Sequence, residues 1–266
     1  MIIMKIGGLQ KTTLIDFPGK IAATVFLSGC SFSCPWCYSP ELVLPEKITK
    51  HPEISEKYFF DFLESRKGML DGIVICGGEP TINNDLPEFI KKIKDMGFSV
   101  KLDTNGSNPE MLEKLLEGQT FQFVDYIAMD IKAPLGLKSQ IPNPLDAKRT
   151  PRRVASQINP NDQNSKYKTA TGSDIDINKI KKSIELIKNS GVDYEFRSTI
   201  VPGVHSREDV IQMANDIGQA KKYYLQNFRP GKNIDPKFEE IKPYPDEFLA
   251  EIVKEISPLF KICKIR

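Results

Sequence analysis

The chain has 266 residues, of which 40% are hydrophobic, and its 37 basic and 35 acidic residues leave a formal net charge of +2. That balance gives no reason to expect nucleic acid or a membrane surface as a partner. No apolar run approaches the roughly 20 residues needed to cross a bilayer, and the first 20 residues are too polar for a signal peptide. Three of the five cysteines lie too close together for a disulfide framework, so we expect a cytoplasmic protein.

The predicted elements alternate between strand and helix along the chain. Residues 1–20 predict a hairpin with turns at Gly7-Gly8 and Pro18-Gly19. Periodicity then predicts strands at 21–27, 72–76, 99–102, 123–129, 194–201 and 223–226, and helices at 53–67, 84–96, 109–116, 177–189, 206–217 and 245–256. This alternation favours an α/β fold with a parallel sheet and six βα repeats. We expect one domain over residues 1–266.

One segment, residues 136–165, interrupts this alternation. It is rich in Pro, Asn, Gln, Ser and Arg and shows neither a helical nor a strand period. A loop of this length is usually functional or disordered, and its composition cannot bury a core. We therefore expect a mobile insert that is dispensable for the chemistry, with a basic stretch at 148–153 that helps to dock an acidic partner.

Three cysteines follow the first predicted buried strand, at Cys30, Cys34 and Cys37. Thiolates grouped in this way suit a metal ion or an iron–sulfur cluster. A closed zinc site or an electron-transfer cluster generally takes four protein ligands, so three would leave one iron open to a small molecule. Two alternatives remain open: Cys76 or His51 completes a zinc site, or the cysteines are ordinary buried thiols.

Polar sequences follow the predicted strands. They are the cysteine loop, GGEP at 77–80, DTNG at 103–106, DIK at 130–132, STIVPG at 198–203 and QNFRP at 226–230. In parallel βα folds the carboxyl ends of the strands meet on one rim, where the chemistry gathers. In GGEP, two glycines allow backbone to approach a ligand closely, and Glu79 offers an acceptor to an ammonium group.

The Cys-x3-Cys-x2-Cys spacing, together with GGEP, resembles the radical S-adenosylmethionine (SAM) enzymes. Most of the chain outside the insert resembles the activating enzymes of glycyl-radical proteins, in the form that serves anaerobic ribonucleoside-triphosphate reductase. The sequences that carry this resemblance are GGLQKTTLIDFPGKIAATVFLSGC, CPWCYSPELV, GGEPT, DTNGSNP, DYIAMDIKAPL, YEFRSTIVPGVH and YYLQNFRP. The resemblance implies a partial (βα)6 radical SAM barrel with a parallel sheet.

The resemblance also implies a set of site residues. The metal ligands would be Cys30, Cys34 and Cys37, holding one [4Fe-4S] cluster whose open iron is chelated by SAM. The candidate catalytic residues are Asp103, Asp130 and Lys132, with a monovalent cation beside Asp103. The cofactor-binding residues would be Trp36, Tyr38, Gly77, Gly78, Glu79, Asp103, Thr104, Asp130, Ile131, Lys132, Arg197 and Arg229. Of these, the Trp36 ring would contact adenine, Glu79 the amino group and Arg197 the carboxylate of SAM.

The implied reaction is the reductive cleavage of SAM to methionine and a 5′-deoxyadenosyl radical, which generates a glycyl radical on anaerobic ribonucleotide reductase. Flavodoxin or ferredoxin would supply the electron. Relatives usually carry His-Asn after the third cysteine, where this chain has Tyr38-Ser39. Two other functions remain open: a radical SAM enzyme acting on a small molecule, such as a 7-carboxy-7-deazaguanine synthase, and a non-catalytic iron–sulfur or zinc module.

Overall fold

A computed structural model describes residues 4–116, 122–136, 165–231 and 235–266. The chain divides into two compact units. The first unit comprises Met1–Ser33, Ser39–Met129 and Lys182–Tyr194, and the second comprises Cys34–Tyr38, Asp130–Lys181 and Glu195–Arg266. The predicted insert lies almost wholly outside the described residues, and its mobility and the single-domain assignment both stay predictions.

The strands of the first unit follow the order of the chain. They are β1 (Ile6–Thr13), β2 (Ala22–Leu27), β3 (Gly72–Gly77), β4 (Ser99–Thr104) and β5 (Tyr126–Asp130). Strand β1 pairs antiparallel with β2, and β2, β3, β4 and β5 pair in parallel. Val25, Ile75 and Leu102 are fully buried. Strands β2, β3 and β5 are near-continuous apolar runs, as expected for parallel strands covered on both faces.

The helices of the first unit follow its strands. They are α1 (Pro40–Val43), α2 (Pro45–Ile48), α3 (Glu56–Glu64), α4 (Leu86–Asp95) and α5 (Pro109–Leu116). Helix α4 buries Leu86, Phe89, Ile90 and Ile93, which recur at the spacing of one helical face. The Phe89 ring stacks on Phe59 of α3 at a centroid distance of 5.2 Å. Aromatic packing of this kind attaches the two helices to each other.

The second unit also has parallel strands. Strands β6 (Asp193–Ile200), β7 (Ala220–Asn227) and β8 (Phe260–Ile265) pair in that order. Its helices are α6 (Ser165–Thr171), α8 (Arg207–Ile217) and α9 (Asp246–Ile256), while α7 (Ile177–Asn189) spans the boundary between the units. A capping box in which Ser206 and Asp209 exchange hydrogen bonds begins α8.

The predicted turn at Gly7-Gly8 is wrong, because both glycines lie inside strand β1. A Cβ at Gly7 would lie 2.3 Å from Leu42 Cδ2 and 2.6 Å from Ser28 Oγ. This glycine therefore serves close packing within a strand rather than a change of direction. The turn at Pro18-Gly19 is confirmed, since Gly19 has a φ of 73° between β1 and β2.

The six predicted strands correspond to β2 through β7, and the six predicted helices to α3, α4, α5, α7, α8 and α9. Strand β8 was not predicted. Its lysines, Lys261 and Lys264, make the segment resemble a polar tail, although such residues are common on strands at a sheet edge. Within the described residues, the structure contains no helix with the length and apolar character required to cross a membrane.

Candidate functional site

In the first unit, Cys30 lies on the loop that follows β2. Its sulfur accepts hydrogen bonds from the Phe32 backbone N–H at 3.4 Å and from Asn105 Nδ2 at 3.8 Å. Sulfur is a weak acceptor as a thiol, and N–H donors favour its thiolate form. The surroundings of Cys30 therefore suit a metal-ligating thiolate.

Cys34 and Cys37 belong to the second unit, where the Cys37 N–H donates to the Cys34 carbonyl at 3.0 Å in a tight turn. Burial raises the pKa of Cys34 to about 11, so without a metal this side chain is a protonated thiol. Coordination to a metal deprotonates a thiol outright. Burial disfavours the negatively charged thiolate of Cys34, and the iron ions of a cluster would stabilise that charge. Cys34 and Cys37 thus fit a cluster.

The described residues include no group of three or more His, Cys, Asp or Glu side chains that could hold a single metal ion. The zinc alternative therefore gains no support, and His51 is occupied because its Nε2 donates to the Gly7 carbonyl at 2.7 Å. An iron–sulfur cluster makes a different demand, since each cysteine binds a different iron. Cys76 and Cys263 are partly exposed rather than fully buried.

Glu79 lies two residues after the end of β3 and is completely buried. Its Oε1 accepts hydrogen bonds from the Thr81 N–H at 3.1 Å, the Thr81 hydroxyl at 2.6 Å and the Thr104 hydroxyl at 2.7 Å. Its Oε2 accepts from the Asn105 N–H at 2.6 Å. The carboxylate therefore ties the loop after β3 to the loop after β4.

Burial raises the pKa of Glu79 even though Thr81, Asn105 and Thr104 all donate hydrogen bonds to it. No lysine or arginine is among these partners, so neutral dipoles alone compensate the charge. The predicted contact between this side chain and an amino group of SAM stays a prediction. What the structure adds is a role in shaping the loops.

Gly77 and Gly78 bring the loop after β3 against the loop after β2. Glu79 N–H donates to the Gly29 carbonyl at 2.8 Å. A Cβ at Gly78 would lie 1.9 Å from that carbonyl oxygen, and one at Gly77 would lie 2.2 Å from the Leu27 oxygen. The backbone φ of Gly77, 124°, is also one that side chains rarely allow. Only glycine fits either position.

Asp103 and Thr104 end strand β4 and point to different partners. Asp103 pairs with Lys101, whose side chain is 1% exposed. Thr104 donates to Glu79, as described above, and accepts the Gly106 N–H at 3.1 Å. Of this pair, Asp103 contributes a carboxylate with a cation already beside it, and the monovalent cation predicted there stays a prediction.

In the second unit, Asp130 lies between two cations. Its Oδ1 accepts from Arg197 Nε at 2.9 Å and its Oδ2 from Lys132 Nζ at 3.0 Å. Arg197 comes from β6, and the Ile131 N–H donates to the Arg197 carbonyl at 2.8 Å. We call these three side chains, Asp130, Lys132 and Arg197, the Asp130 ion group.

Burial alone would raise the pKa of Asp130, but the charges of Arg197 and Lys132 outweigh it and hold that pKa well below its usual range. Burial would lower the pKa of Lys132, but Asp130, followed by Cys34, raises it above its usual value. The group therefore stays fully ionised at neutral pH. Two cations against one carboxylate leave a net positive charge, which suits an anionic ligand.

Trp36 and Tyr38 flank Cys37 but differ in exposure. The Trp36 ring is 3% exposed and packs against His205 at 5.7 Å and Phe238 at 6.1 Å, measured between ring centroids. Tyr38 is 49% exposed, and its hydroxyl accepts the Arg229 N–H at 2.9 Å. Arg229 is thus placed beside Tyr38 through its backbone. Between these two aromatic rings, Tyr38 is the more accessible to a ligand.

His205 is a site residue that the sequence reasoning missed. It is 1% exposed. Its Nδ1 accepts the Val201 N–H at 3.0 Å, so its Nε2 carries the proton and donates to the Lys132 carbonyl at 2.8 Å. Burial lowers its pKa, which keeps the ring neutral in this tautomer. His205 therefore holds Lys132 on one side and Trp36 on the other.

The comparisons with known proteins identify a family. A family model described as the radical SAM superfamily matches residues 24–217. A Methanocaldococcus jannaschii protein, provisionally named a glycyl-radical enzyme activating enzyme, is 32% identical over 267 residues, which cover 97% of this chain and 91% of that protein. A 7-carboxy-7-deazaguanine synthase of Aquifex aeolicus is 35% identical over 103 residues, which cover 38% of this chain and 43% of that enzyme.

Solved structures are similar in fold. Streptococcus suis SuiB bound to S-adenosylmethionine superposes with a TM-score of 0.58 at 13% identity, covering 88% of this chain and 48% of that one. At this identity the likeness concerns the fold alone. Together with the family match, it confirms the predicted α/β radical SAM fold with a parallel sheet.

Proposed function

Because this chain belongs to the radical SAM superfamily and is a radical SAM enzyme, we propose that it generates a glycyl radical on a partner enzyme. The observation that carries this proposal is the similarity to the M. jannaschii activating enzyme, which extends over 97% of the present chain. A match of nearly full length favours a shared reaction more strongly than a match to the cofactor-binding segment alone.

The superfamily implies one [4Fe-4S] cluster and SAM. In our proposal Cys30, Cys34 and Cys37 hold the cluster, which when bound supplies the electron for reductive cleavage of SAM. The N–H donors at Cys30 and the buried thiol of Cys34 support this assignment. The protein's own task is to fix these ligands and to exclude water from them.

The Asp130 ion group is proposed to hold the carboxylate of SAM. Its net positive charge and the fork geometry of the Arg197 guanidinium suit that anion. Gly77 and Gly78 allow the backbone to approach the amino group, and Tyr38 offers an accessible ring to the adenine. Asp103, Thr104, Ile131, Arg229 and the buried Trp36 complete the proposed lining, with a monovalent cation beside Asp103.

The proposed protein substrate is a glycine of anaerobic ribonucleotide reductase, with flavodoxin or ferredoxin as the electron donor in a shared cytoplasm. The hydrogen atom leaves the glycine Cα and joins the 5′ carbon released from SAM, giving 5′-deoxyadenosine and a glycyl radical. Glycine has no side chain, so its Cα hydrogen can approach that carbon closely. Such proximity is most of what a protein contributes to a radical transfer.

The test is anaerobic mixing of the reconstituted enzyme with SAM, a reductant and the candidate reductase, followed by electron paramagnetic resonance. We expect the doublet of a glycyl radical, and we expect it to vanish when the reductase glycine is changed to alanine. One matched control changes Cys76 and Cys263 to Ser, which should leave the cluster and the signal in place. Another changes Cys34 to Ser, which should abolish both.

The Aquifex synthase favours a second candidate, a radical SAM enzyme acting on a small molecule. The same reaction mixture discriminates between the two. Formation of 5′-deoxyadenosine that requires a small-molecule substrate, with no radical on any reductase, would establish the second candidate. A glycyl radical in stoichiometric proportion to the 5′-deoxyadenosine would exclude it.

A further inference from the structure

The side chain of Asn105 connects the loop after β4 to Cys30. Its Nδ2 donates to Ser31 Oγ at 3.0 Å and to Cys30 Sγ at 3.8 Å, while its Oδ1 accepts the Ser107 N–H at 2.9 Å. Asn105 is 6% exposed. A buried amide thus donates a hydrogen bond to the sulfur of Cys30, and the three-cysteine motif by itself does not explain this contact.

The orientation of this amide follows from its neighbours. The Ser107 N–H can only donate, so the oxygen of Asn105 must face it and the nitrogen must face Cys30 and Ser31. The Asn105 backbone is fixed as well, because its N–H donates to Glu79 Oε2 at 2.6 Å. Hydrogen bonds at the side-chain oxygen and at the backbone N–H of Asn105 thus keep its Nδ2 directed towards the Cys30 sulfur.

We propose that Asn105 is a positioning residue that raises the reduction potential of the [4Fe-4S] cluster through its N–H···S hydrogen bond to Cys30. Hydrogen bonds to the ligating sulfurs are one of the features that set the potential of such clusters. Reduction adds negative charge to the cluster and its thiolates, so an N–H donor stabilises the reduced state more than the oxidised state. The inference rests on the proposed function only in requiring that Cys30 be a cluster ligand.

Two substitutions at Asn105 test this inference. Asn105→Ala removes the donor. Asn105→Asp keeps an oxygen for Ser107 but places a second oxygen towards Cys30. Asn108 provides a matched control from the same segment, because its Nδ2 donates to the Thr81 carbonyl at 2.6 Å and its Oδ1 accepts the Met111 N–H at 3.2 Å. Asn108→Ala and Asn108→Asp repeat the same chemical changes on an amide whose described hydrogen bonds involve neither Cys30 nor Ser31.

The measurement is a reductive titration of the reconstituted, SAM-free protein, followed by the resonance signal of the reduced cluster, with iron and sulfide counted separately. For Asn105→Ala we expect full iron content and a more negative midpoint, by about tenfold in the ratio of reduced to oxidised cluster, or about 59 mV for one electron. Asn105→Asp should shift the midpoint further. Asn108→Ala should match the wild type, and Asn108→Asp should shift less than Asn105→Asp.

Midpoints that do not differ between the Asn105 and Asn108 variants would overturn the inference. Loss of iron from both Asn105 variants, but from neither Asn108 variant, would also overturn the inference. The amide would then be needed to bind the cluster rather than to set its reduction potential. Failure of the proposed function is seen separately. If the wild-type protein takes up the cluster but activates no reductase, the proposed function fails and this inference stands. If the iron count shows that no [4Fe-4S] cluster is taken up, both the proposed function and this inference fail.

Discussion

Each unit places a carboxylate at the end of a parallel strand, fully buried for Glu79 and 28% exposed for Asp130, and the two units compensate its charge in opposite ways. Glu79 is enclosed by hydroxyl and amide N–H groups, and burial raises its pKa. Asp130 is enclosed by Arg197 and Lys132, which outweigh burial and lower its pKa. The pKa of the same functional group is therefore raised in one unit and lowered in the other.

The groups that surround the two carboxylates differ in what they stabilise. The donors around Glu79 come from two neighbouring loops, so its hydrogen bonds are directed inward and fix the backbone. Around Asp130, the donors are two cations, Arg197 and Lys132. The hydrogen bonds of Glu79 thus stabilise the loops around it, while the positive charge of the Asp130 ion group suits an anionic ligand.

The largest expected effect comes from Asp130→Asn, which removes the charge that Arg197 and Lys132 share. We expect a loss of about 3 kcal/mol in the free energy of unfolding of the metal-free protein, because two like charges then face each other in a partly buried position. Urea denaturation measures it. Asp125→Asn is the matched control, since Asp125 is similarly exposed and its one ion pair among the described residues is with Lys94, while its Oδ2 also accepts the Val100 N–H at 2.7 Å. An equal loss in both variants would show that the second cation has no effect.

Glu79→Gln should cost less, about 2 kcal/mol by the same denaturation. The glutamine oxygen can replace Oε1, but its NH2 group then meets the Asn105 N–H where Oε2 accepted it. No cation loses its counter-charge in this variant. A loss larger than that of Asp130→Asn would reverse our ranking of neutral against charged compensation.

The pH dependence of stability should have opposite signs at the two sites. Asp130, with a lowered pKa, stabilises the fold above about pH 4, and this contribution is lost as the pH falls. Glu79, with a raised pKa, binds its proton more tightly when folded, so stability falls as the pH rises through and above about 4.3. The test is denaturation of the wild type, Asp130→Asn and Glu79→Gln between about pH 3.5 and about pH 7, a range that includes the ordinary carboxyl pKa of about 4. Across this range, we expect the free energies of unfolding of the two variants, each relative to wild type, to change in opposite directions and to diverge by about 1 kcal/mol.

The smallest expected effect is that of Thr104→Val, which removes one of the neutral donors around Glu79 without changing the shape of the side chain. We expect a loss of about 0.5–1 kcal/mol, because the Gly106 N–H also loses its acceptor. The double variant Glu79→Gln/Thr104→Val should lose less than the sum of the single losses, since the two residues share a hydrogen bond. Strict additivity would show that the Thr104 hydroxyl contributes nothing through Glu79.

Local patterns were sufficient to predict much of the fold. Helices α5 and α7 have the predicted bounds, because proline begins one and a regular apolar spacing runs through the other. The glycines of β1 were misassigned because the sequence does not show the side chain of Leu42 packed against Gly7. Strand β8 was overlooked because its pairing with β7 is a tertiary property.

The sequence predicted which polar residues follow the strands, but not which side chains they contact. The assignment of those residues to a SAM site stays a prediction. The pairing of Asp130 with Arg197 joins residues 67 positions apart, and the Thr104 hydroxyl reaches Glu79 across 25 positions. No spacing rule predicts such contacts, and for this reason His205, which joins Lys132 to Trp36, was not among the predicted residues.

The close approach of Gly78 to Gly29 has a consequence for evolution and engineering. A Cβ at position 78 would lie 1.9 Å from backbone oxygen, which cannot rotate away as a side chain would. A saturation library should therefore accept no other amino acid there, whereas Gly19, Gly68, Gly97 and Gly191, with nothing within 4 Å, should admit asparagine. Directed evolution of this enzyme towards a new substrate would have to keep Gly77 and Gly78 and vary the side chains that follow the other strands.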